Sequence, residues 1–304
     1  YRPSVAADIR APDRVFGFFT ITAGLDVLGV RLMLAGHPLA TAILAGVAAA
    51  VWLLLTYGVP ASLLLTRARD SVLDRINGSW LLWIVATQSL SITAAFLIQA
   101  WPSQAGLLAP VAAGLWSTGV LIYLMVATLI LLRWLTVPMT PATLGPPYWI
   151  LMGATAISVL AGARYLALPA DIPVVQATAS FVEGFTYALW AFGTWWIPLL
   201  VILGSWRHIR RHWPLAYEPT LWSIVFPLGM YSVATLSFGK VAHLAFMEPL
   251  ARFMFWVAVA AWALVAIAFL ARLLRRPAEP SPGTPPPALS TAATQDTTTE
   301  KKLP

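Results

Sequence analysis

The 304-residue sequence contains no cysteine. This absence excludes disulfide bonds, thiolate metal sites, iron–sulfur clusters and a cysteine nucleophile. Charge is also scarce, because only 10% of the residues are charged whereas 59% are hydrophobic. Soluble domains carry about 25% charged residues, so this composition and a mean hydropathy of +0.77 exclude an ordinary soluble protein. The composition predicts an integral membrane protein.

The ionisable residues do not show the spacing of a catalytic or metal site. The sequence has no H-E-x-x-H, P-loop or G-x-S-x-G motif, and its apolar runs hold no pair of carboxylates four residues apart. His208 and His212 are four residues apart and could share a helical face as metal ligands. Arg207, Arg210 and Arg211 surround them, however, and repel a cation. We therefore expect no enzyme activity, no cofactor and no metal.

Eight apolar runs are long enough to cross the roughly 30 Å of membrane hydrocarbon as helices. They are continuously apolar, unlike the alternating segments of about ten residues in a β-barrel. The sequence therefore predicts an all-α polytopic membrane protein. The predicted helices cover residues 16–35, 39–65, 79–100, 106–135, 147–168, 179–206, 219–239 and 250–274.

The predicted helices pair into four hairpins, because basic loops recur after each pair. The first helices of the pairs begin near residues 16, 79, 147 and 220, an internal repeat of about 63 to 73 residues. We divide the chain into an N-terminal segment (1–15), a transmembrane transporter or channel domain (16–275) and a C-terminal tail (276–304). The tail is rich in proline and poor in large apolar residues, a composition that predicts disorder.

The net charge of +7 reflects membrane orientation rather than nucleic-acid binding, because the basic residues lie in short loops. By the positive-inside rule, these loops face the cytoplasm, as do both termini, in a multi-pass protein of the plasma membrane. The loops on the opposite side hold a single basic residue, Lys240. The basic residues of the cytoplasmic loops are Arg10, Arg14, Arg67, Arg69, Arg75, Arg133, Arg207, Arg210, Arg211, Arg272, Arg275 and Arg276.

The two helices of each hairpin differ in composition. The first carries small or hydroxylated residues in its middle, whereas the second consists mainly of Leu, Ala, Val, Ile and Trp. This pattern favours an inner ring of semi-polar helices around a central pore, with an outer apolar ring facing lipid, although small residues also serve close helix packing. The candidate pore-lining residues are Thr22, Gly24, Asp26, Thr87, Gln88, Ser91, Gly153, Thr155, Ser158, Ser232 and Thr235.

Four charged residues within the apolar runs or at their ends are candidate functional residues. Asp26 lies well inside the first helix, where a carboxylate is a functional candidate by default, but it can also bond to a neighbouring helix. Arg31, Arg164 and Lys240 lie at outer helix ends. There they either snorkel to the surface or form a positive outer mouth that attracts anions.

Pro227 interrupts the seventh apolar run. Because proline lacks an N–H and its ring crowds the carbonyl of Ser223, we predict a kink near mid-membrane, which Gly229 loosens further. Phe226 lies at this bend. From the residues alone, Phe226 is either part of the core or a gate.

Residues 146–154 read PPYWILMGA, residues 190–198 read WAFGTWWIP and residues 222–229 read WSIVFPLG. These stretches resemble the tellurite-resistance/dicarboxylate transporter family, which includes the bacterial tellurite-resistance protein and the plant slow anion channels. The resemblance covers about residues 14 to 275. It implies helical hairpins around a central pore, trimers, and passive or proton-linked movement of anions, including C4-dicarboxylates. It also implies a pore constriction at Phe226, Pro227 and Gly229.

The sequence departs from the family pattern, because it has four hairpins where the family has five. It also begins at Tyr1 with a stretch that resembles a loop between hairpins, so we expect a first hairpin upstream. We predict an anion channel or carrier for C4-dicarboxylates or small inorganic anions, with tellurite resistance as a role taken from the family. Two alternatives stay open: a proton-coupled dicarboxylate carrier that uses Asp26, and a non-transporting membrane scaffold or intramembrane enzyme.

Overall fold

The computed structural model describes residue 11 and residues 14–65 and 72–274. The predicted tail at 276–304 and most of the predicted segment at 1–15 lie outside these residues. The same holds for several basic residues that we used to predict orientation, namely Arg10, Arg67, Arg69, Arg275 and Arg276.

Eight long helices make up most of the described part of the chain, which contains no strand. Each helix, taken with its flanking turns, is long and apolar enough to cross a bilayer, which confirms the predicted all-α polytopic fold. The helices are α1 (Phe19–Leu34), α2 (Pro38–Leu65), α3 (Leu82–Ala100), α4 (Ala105–Thr136), α5 (Ile150–Leu166), α6 (Pro173–Ser205), α7 (Trp222–Val241) and α8 (Met247–Leu274).

One turn of 3-10 helix precedes each odd-numbered helix, at Val15–Phe18, Gly78–Leu81, Pro146–Trp149 and Pro219–Leu221. Two of these turns begin with proline, which is favourable at a first helical position because its missing N–H would have no intrahelical partner there. All four odd-numbered helices begin on the same side of the bundle. We call it the basic side, because the even-numbered helices end there with Arg133, Arg207 and Arg272.

α6 begins earlier than the sequence predicted. The sixth apolar run of the sequence predicts a start at residue 179. In the structure the helix begins at Pro173, directly after the extended residue Ile172. The predicted start was therefore wrong by about two turns, because a proline at the first helical position determines where this helix begins.

α6 ends in a π-helical turn at Trp206–Arg210. Nδ1 of His208 lies 3.0 Å from the carbonyl oxygen of Trp213, and His212 has a left-handed backbone with φ of 52°. Because the helix stops between them, His208 and His212 do not share a helical face.

The four hairpins form as predicted, because α1 packs against α2, α3 against α4, α5 against α6, and α7 against α8. The odd-numbered helices pack in the order α1, α3, α5, α7. Among the described residues, α1 and α7 are not in extensive contact, so the four odd-numbered helices form an open arc. α3 and α5 lie at its centre: 83% of the most apolar stretch of each is buried, against 11% for α8.

Tryptophan side chains link successive hairpins in a repeated way. The indole N–H of Trp52 on α2 donates to Thr87 Oγ1 on α3 at 2.9 Å. Trp116 on α4 donates to the carbonyl of Ser158 on α5 at 3.0 Å. Trp190 on α6 donates to Thr235 Oγ1 on α7 at 3.0 Å. The second helix of each of the first three hairpins is thereby tied to the first helix of the next.

Candidate functional site

Asp26 lies on α1 where it packs against α3, and it is only 1% exposed. Ser89 Oγ donates to Oδ2 of Asp26 at 2.6 Å, and Thr93 Oγ1 donates to Oδ1 at 3.2 Å. Within the described part of the chain, no cation lies at ion-pair distance from this carboxyl group. The bond between Asp26 and a neighbouring helix, one of the two interpretations from the sequence, is therefore observed.

The hydroxyl groups around Asp26 each have a second acceptor. Ser89 Oγ lies 2.8 Å from the carbonyl oxygen of Ala86, and Thr93 Oγ1 lies 3.0 Å from that of Ser89. A hydroxyl has one hydrogen to donate. If both hydroxyl groups donate to Asp26, they stabilise an ionised carboxylate. If they donate to the backbone carbonyl groups instead, their oxygens can accept a hydrogen bond from a protonated Asp26. The geometry thus accommodates both protonation states.

α7 carries one exposed face, which is turned away from its neighbours α5, α6 and α8. Successive helical residues rotate by about 100°, which places the residues of this face within an arc of about 60°. They are Trp222, Phe226, Gly229, Val233 and Lys240; Phe226 and Gly229 are half-buried and the other three are exposed. Among the described residues, and apart from the backbone of α7 and the two residues next to Gly229, no atom lies within 4 Å of where a Cβ of Gly229 would be, so there is open space beside this part of the helix.

Pro227 differs from its neighbour Phe226, because it is buried against α5. A Cβ on Gly153 would lie 2.8 Å from Cγ of Pro227, so the glycine permits this close approach of the two helices. α7 continues through Pro227, which is the sixth residue of the helix. The position that we predicted near mid-membrane therefore lies in the second turn, close to the basic side.

α1 has a comparable exposed face, formed by Thr20, Gly24, Val27 and Arg31. As on α7, a glycine with open space around it lies on this face, and a cation lies at its far end. The exposed faces of α1 and α7 therefore share a pattern of small, apolar and terminal basic residues.

Most of the candidate pore-lining hydroxyl and amide groups are bonded to even-numbered helices. Thr87 and Thr235 accept the tryptophan hydrogen bonds described above. The other four such residues donate to backbone carbonyl groups of α2, α4 or α8: Thr22 to Ala48, Gln88 to Trp116, Ser91 to Ala112 and Ser232 to Ala251. All six side chains are buried. In this conformation they hold helices together, and their lining of a pathway stays a prediction.

Thr155 and Ser158 on α5 donate to carbonyl groups of their own helix, those of Met152 and Ala154. Both are buried. Between Ile150 and Ala163, every residue of this helix is buried, so α5 exposes no face that could border an open pore.

The three predicted outer-mouth cations all lie near the side opposite the basic side. Arg31 and Lys240 are exposed. Arg164 is half-buried, with its Cζ atom 4.9 Å from the centre of the Phe96 ring on α3. Its Nε atom is buried without a hydrogen-bond partner in the described part of the chain. This end of the bundle therefore carries positive charge on α1, α5 and α7.

A cavity on the basic side was not predicted. It has a volume of about 620 Å³, and it is lined by the turns that precede α3, α5 and α7 together with Arg133 and Arg207. Both arginines are only 6% exposed. In the sequence, Arg133 and Arg207 indicated only the orientation of the chain, because an arginine at the end of an apolar helix normally extends into water.

Comparison with known proteins points to the same family as the sequence motifs. The family model described as "SLAC1: Voltage-dependent anion channel" matches residues 1–270. Two uncharacterized membrane proteins from two strains of Mycobacterium tuberculosis are each 47% identical over 152 residues, which is 50% of this chain and 77% of theirs. An uncharacterized transporter of Methanocaldococcus jannaschii is 21% identical over 271 residues, 88% of this chain and 75% of its own. No solved structure matches.

The family match covers most of the helical domain, including Asp26, the exposed faces of α1 and α7, and the basic-side cavity. It confirms the resemblance inferred from the three aromatic and proline-containing stretches. The chain belongs to the SLAC1 family of voltage-dependent anion channels.

Proposed function

We propose that the protein conducts small anions passively across the membrane along the exposed faces of α1 and α7, with Phe226 as the constriction. The observation that carries this proposal is the exposed face of α7, on which an aromatic ring, a glycine beside open space and a terminal cation follow one another. α3 and α5 expose no comparable face in their middle turns. The family match favours a transport protein over an enzyme or a scaffold.

The charge distribution supports anions as the transported ions. Arg31, Arg164 and Lys240 at one end attract anions to the mouth. Between Phe226 and Val233 the α7 face carries no charged residue, so an anion would not be held by a fixed cation in mid-membrane. An ion is conducted when it is attracted to the mouth of the path but bound only weakly along it.

The proposed substrates are chloride, nitrate and C4-dicarboxylates such as malate. The resemblance to the tellurite-resistance/dicarboxylate transporter family suggests these substrates. Only the name of that family adds tellurite to them. Trimer formation likewise stays an implication of the resemblance.

Phe226→Ala tests the proposed constriction. We expect the reconstituted variant to carry chloride, nitrate or malate faster than the wild type, because a methyl group in place of the ring widens the path. Flux into liposomes is measured with a fluorescent or isotopic readout. The matched control is Phe253→Ala, since Phe253 is 64% exposed on α8 and lies outside the proposed path.

Unchanged flux through a well-folded Phe226→Ala protein would show that Phe226 is an ordinary packing residue. A core role also predicts a different signature, a loss of stability of about 3 to 5 kcal/mol without increased flux. Thermal unfolding of both variants therefore separates the two roles.

A second candidate function is proton-coupled dicarboxylate transport. The specific observation that favours it is the pair of alternative acceptors around Asp26, Ala86 O and Ser89 O, which lets the cluster stabilise this carboxyl group with or without a proton. In a carrier, Asp26 would bind a proton on one side and release it on the other. In a channel, the same cluster would only join α1 to α3.

A further inference from the structure

The basic-side cavity holds positive charge that the protein only partly compensates. Within the described residues, no carboxylate lies within 4.0 Å of Arg133. Arg207 has Glu218 as a partner, but Nη2 and Oε1 are 3.7 Å apart and the Glu218 side chain is 44% exposed. This distance is too long for a hydrogen bond. Asp74 and Arg75 also line the cavity, and both are exposed. Among the described residues, the two buried arginines therefore have only exposed carboxylates beside them in the cavity, those of Asp74 and Glu218, and neither forms a hydrogen-bonded ion pair with them.

The same arginines have hydrogen-bond donors without acceptors. Nη1 of Arg133 donates to the carbonyl oxygen of Ile76 at 2.6 Å and to the hydroxyl oxygen of Tyr148 at 2.7 Å. The Nε atoms of Arg133 and Arg207 are buried without any partner in the described part of the chain. An unpaired buried donor is unfavourable, and planar guanidinium groups match the oxygens of carboxylates and phosphates.

Three long helices begin at this cavity. The turns that lead into α3, α5 and α7 line it through Gly78, Pro147 and Thr220. The first two turns are in direct contact, because a Cβ on Gly78 would overlap the carbonyl group of Pro147.

Helix N-termini carry partial positive charge. Pro146, Pro147 and Pro219 have no N–H to donate. The N–H groups of Ser79 and Tyr148 are bonded within their turns, so these turns contribute through their dipoles. The dipoles thus add to the field of the two arginines.

We propose that this cavity is a binding site for an oxyanion of the phosphate or carboxylate type, held by Arg133 and Arg207 in the positive field of the α3, α5 and α7 dipoles. Its volume of about 620 Å³ admits such an anion together with water. Phe226 does not line the cavity, so the site is separate from the proposed transport path. A bound oxyanion would tie the starts of three helices together and stabilise the bundle.

Binding of inorganic phosphate to the purified full chain tests the proposal, and it is measured by calorimetry at low ionic strength without any transmembrane gradient. We expect saturable binding that weakens at least about tenfold in the double variant Arg207→Gln, Glu218→Gln, because one charge-assisted contact is lost. This variant keeps the net charge and leaves no unpaired carboxylate. The control Arg272→Gln removes a cation at the same end but outside the cavity, and should bind phosphate as the wild type does.

A second measurement identifies the source of the oxyanion. In phosphatidylcholine nanodiscs, free phosphate should raise the melting temperature of the wild type but not that of the double variant. If phosphatidic acid raises it instead, and only in the wild type, the site takes the phosphate of a lipid headgroup. The proposal is overturned if neither form of phosphate binds saturably or stabilises the protein, or if the double variant responds as the wild type does.

Discussion

At the scale of single residues, the position of Asp26 combines a low exposed fraction with a fully bonded carboxyl group. Its two hydroxyl donors come from successive turns of α3, at Ser89 and Thr93. A buried carboxylate without a cation is unfavourable unless hydrogen bonds stabilise it or it takes up a proton. Asp26 serves transport if it changes between these two states while the protein carries its substrate, and it serves packing if it keeps one of them.

Asp26→Asn distinguishes these roles. The amide has nearly the same shape and can bond to the same hydroxyls, but it cannot carry a proton. If Asp26 couples transport to protons, accumulation of malate driven by a pH gradient should fall at least about tenfold, whereas downhill malate exchange should persist. Both are measured in proteoliposomes with labelled malate.

The control for this substitution is Asp171→Asn, which makes the same chemical change at an exposed position between α5 and α6. It should leave accumulation unchanged. Retained accumulation in Asp26→Asn would rule out a coupling role and leave Asp26 as a contact between α1 and α3.

At the scale of helices, the tryptophan hydrogen bonds explain how an apolar bundle keeps its hairpins in register. In lipid the hydrophobic effect does not drive helices together, so interhelical packing and hydrogen bonds do. Trp52, Trp116 and Trp190 supply one such bond at each of the three junctions between successive hairpins, at different heights along the accepting helix. The internal repeat of the sequence thus corresponds to a repeated contact between hairpins.

Trp116→Phe tests the contribution of these bonds. Trp116 is 2% exposed, and phenylalanine keeps an aromatic ring while removing the N–H. We expect a loss of stability of about 0.6 to 1.7 kcal/mol, the range measured for interhelical hydrogen bonds in membranes. Reversible unfolding in mixed micelles provides the measurement. Trp256→Phe, at a position 65% exposed on α8, should have no effect; equal stability of both variants would contradict a structural role for the bond.

At the scale of the whole molecule, the bundle has two chemically different ends. The starts of the four odd-numbered helices lie on one side, together with the buried Arg133 and Arg207. The exposed Arg31 and Lys240 lie on the other. On the proposed path along α1 and α7, an anion would meet Arg31 and Lys240 at one end and the proposed constriction at Phe226 nearer the other.

Orientation of these ends can be tested in the cysteine-free chain. Residues 66–71, between α2 and α3, lie outside the described residues, so we choose two exposed positions on opposite sides, Thr140 and Ser103. In intact cells, a membrane-impermeant maleimide should label Ser103→Cys and leave Thr140→Cys unlabelled, because the positive-inside rule places the basic side in the cytoplasm. Labelling of Thr140→Cys alone would show that the topology is opposite to the predicted one. Permeabilised cells, in which both variants should react, are the control.

Hydropathy and charge in the sequence determined the number of helices, their pairing into hairpins and the membrane class, since crossing hydrocarbon requires long apolar helices whatever their neighbours. Three short stretches were enough to indicate the family. The sequence also indicated Asp26 and Phe226 as candidate residues, because an intramembrane carboxylate and an aromatic beside a proline are visible without coordinates.

The tertiary structure alone decided which neighbour each side chain meets. Thr87 and Gln88 are adjacent in sequence, yet they bond to α2 and α4 respectively; in lipid almost every helix face is apolar, so hydrophobic periodicity does not indicate which face packs where. Arg133 and Arg207 look like surface arginines in the sequence. Only the folding of distant loops over the starts of α3, α5 and α7 buries them, because burial depends on contacts between residues far apart in the chain.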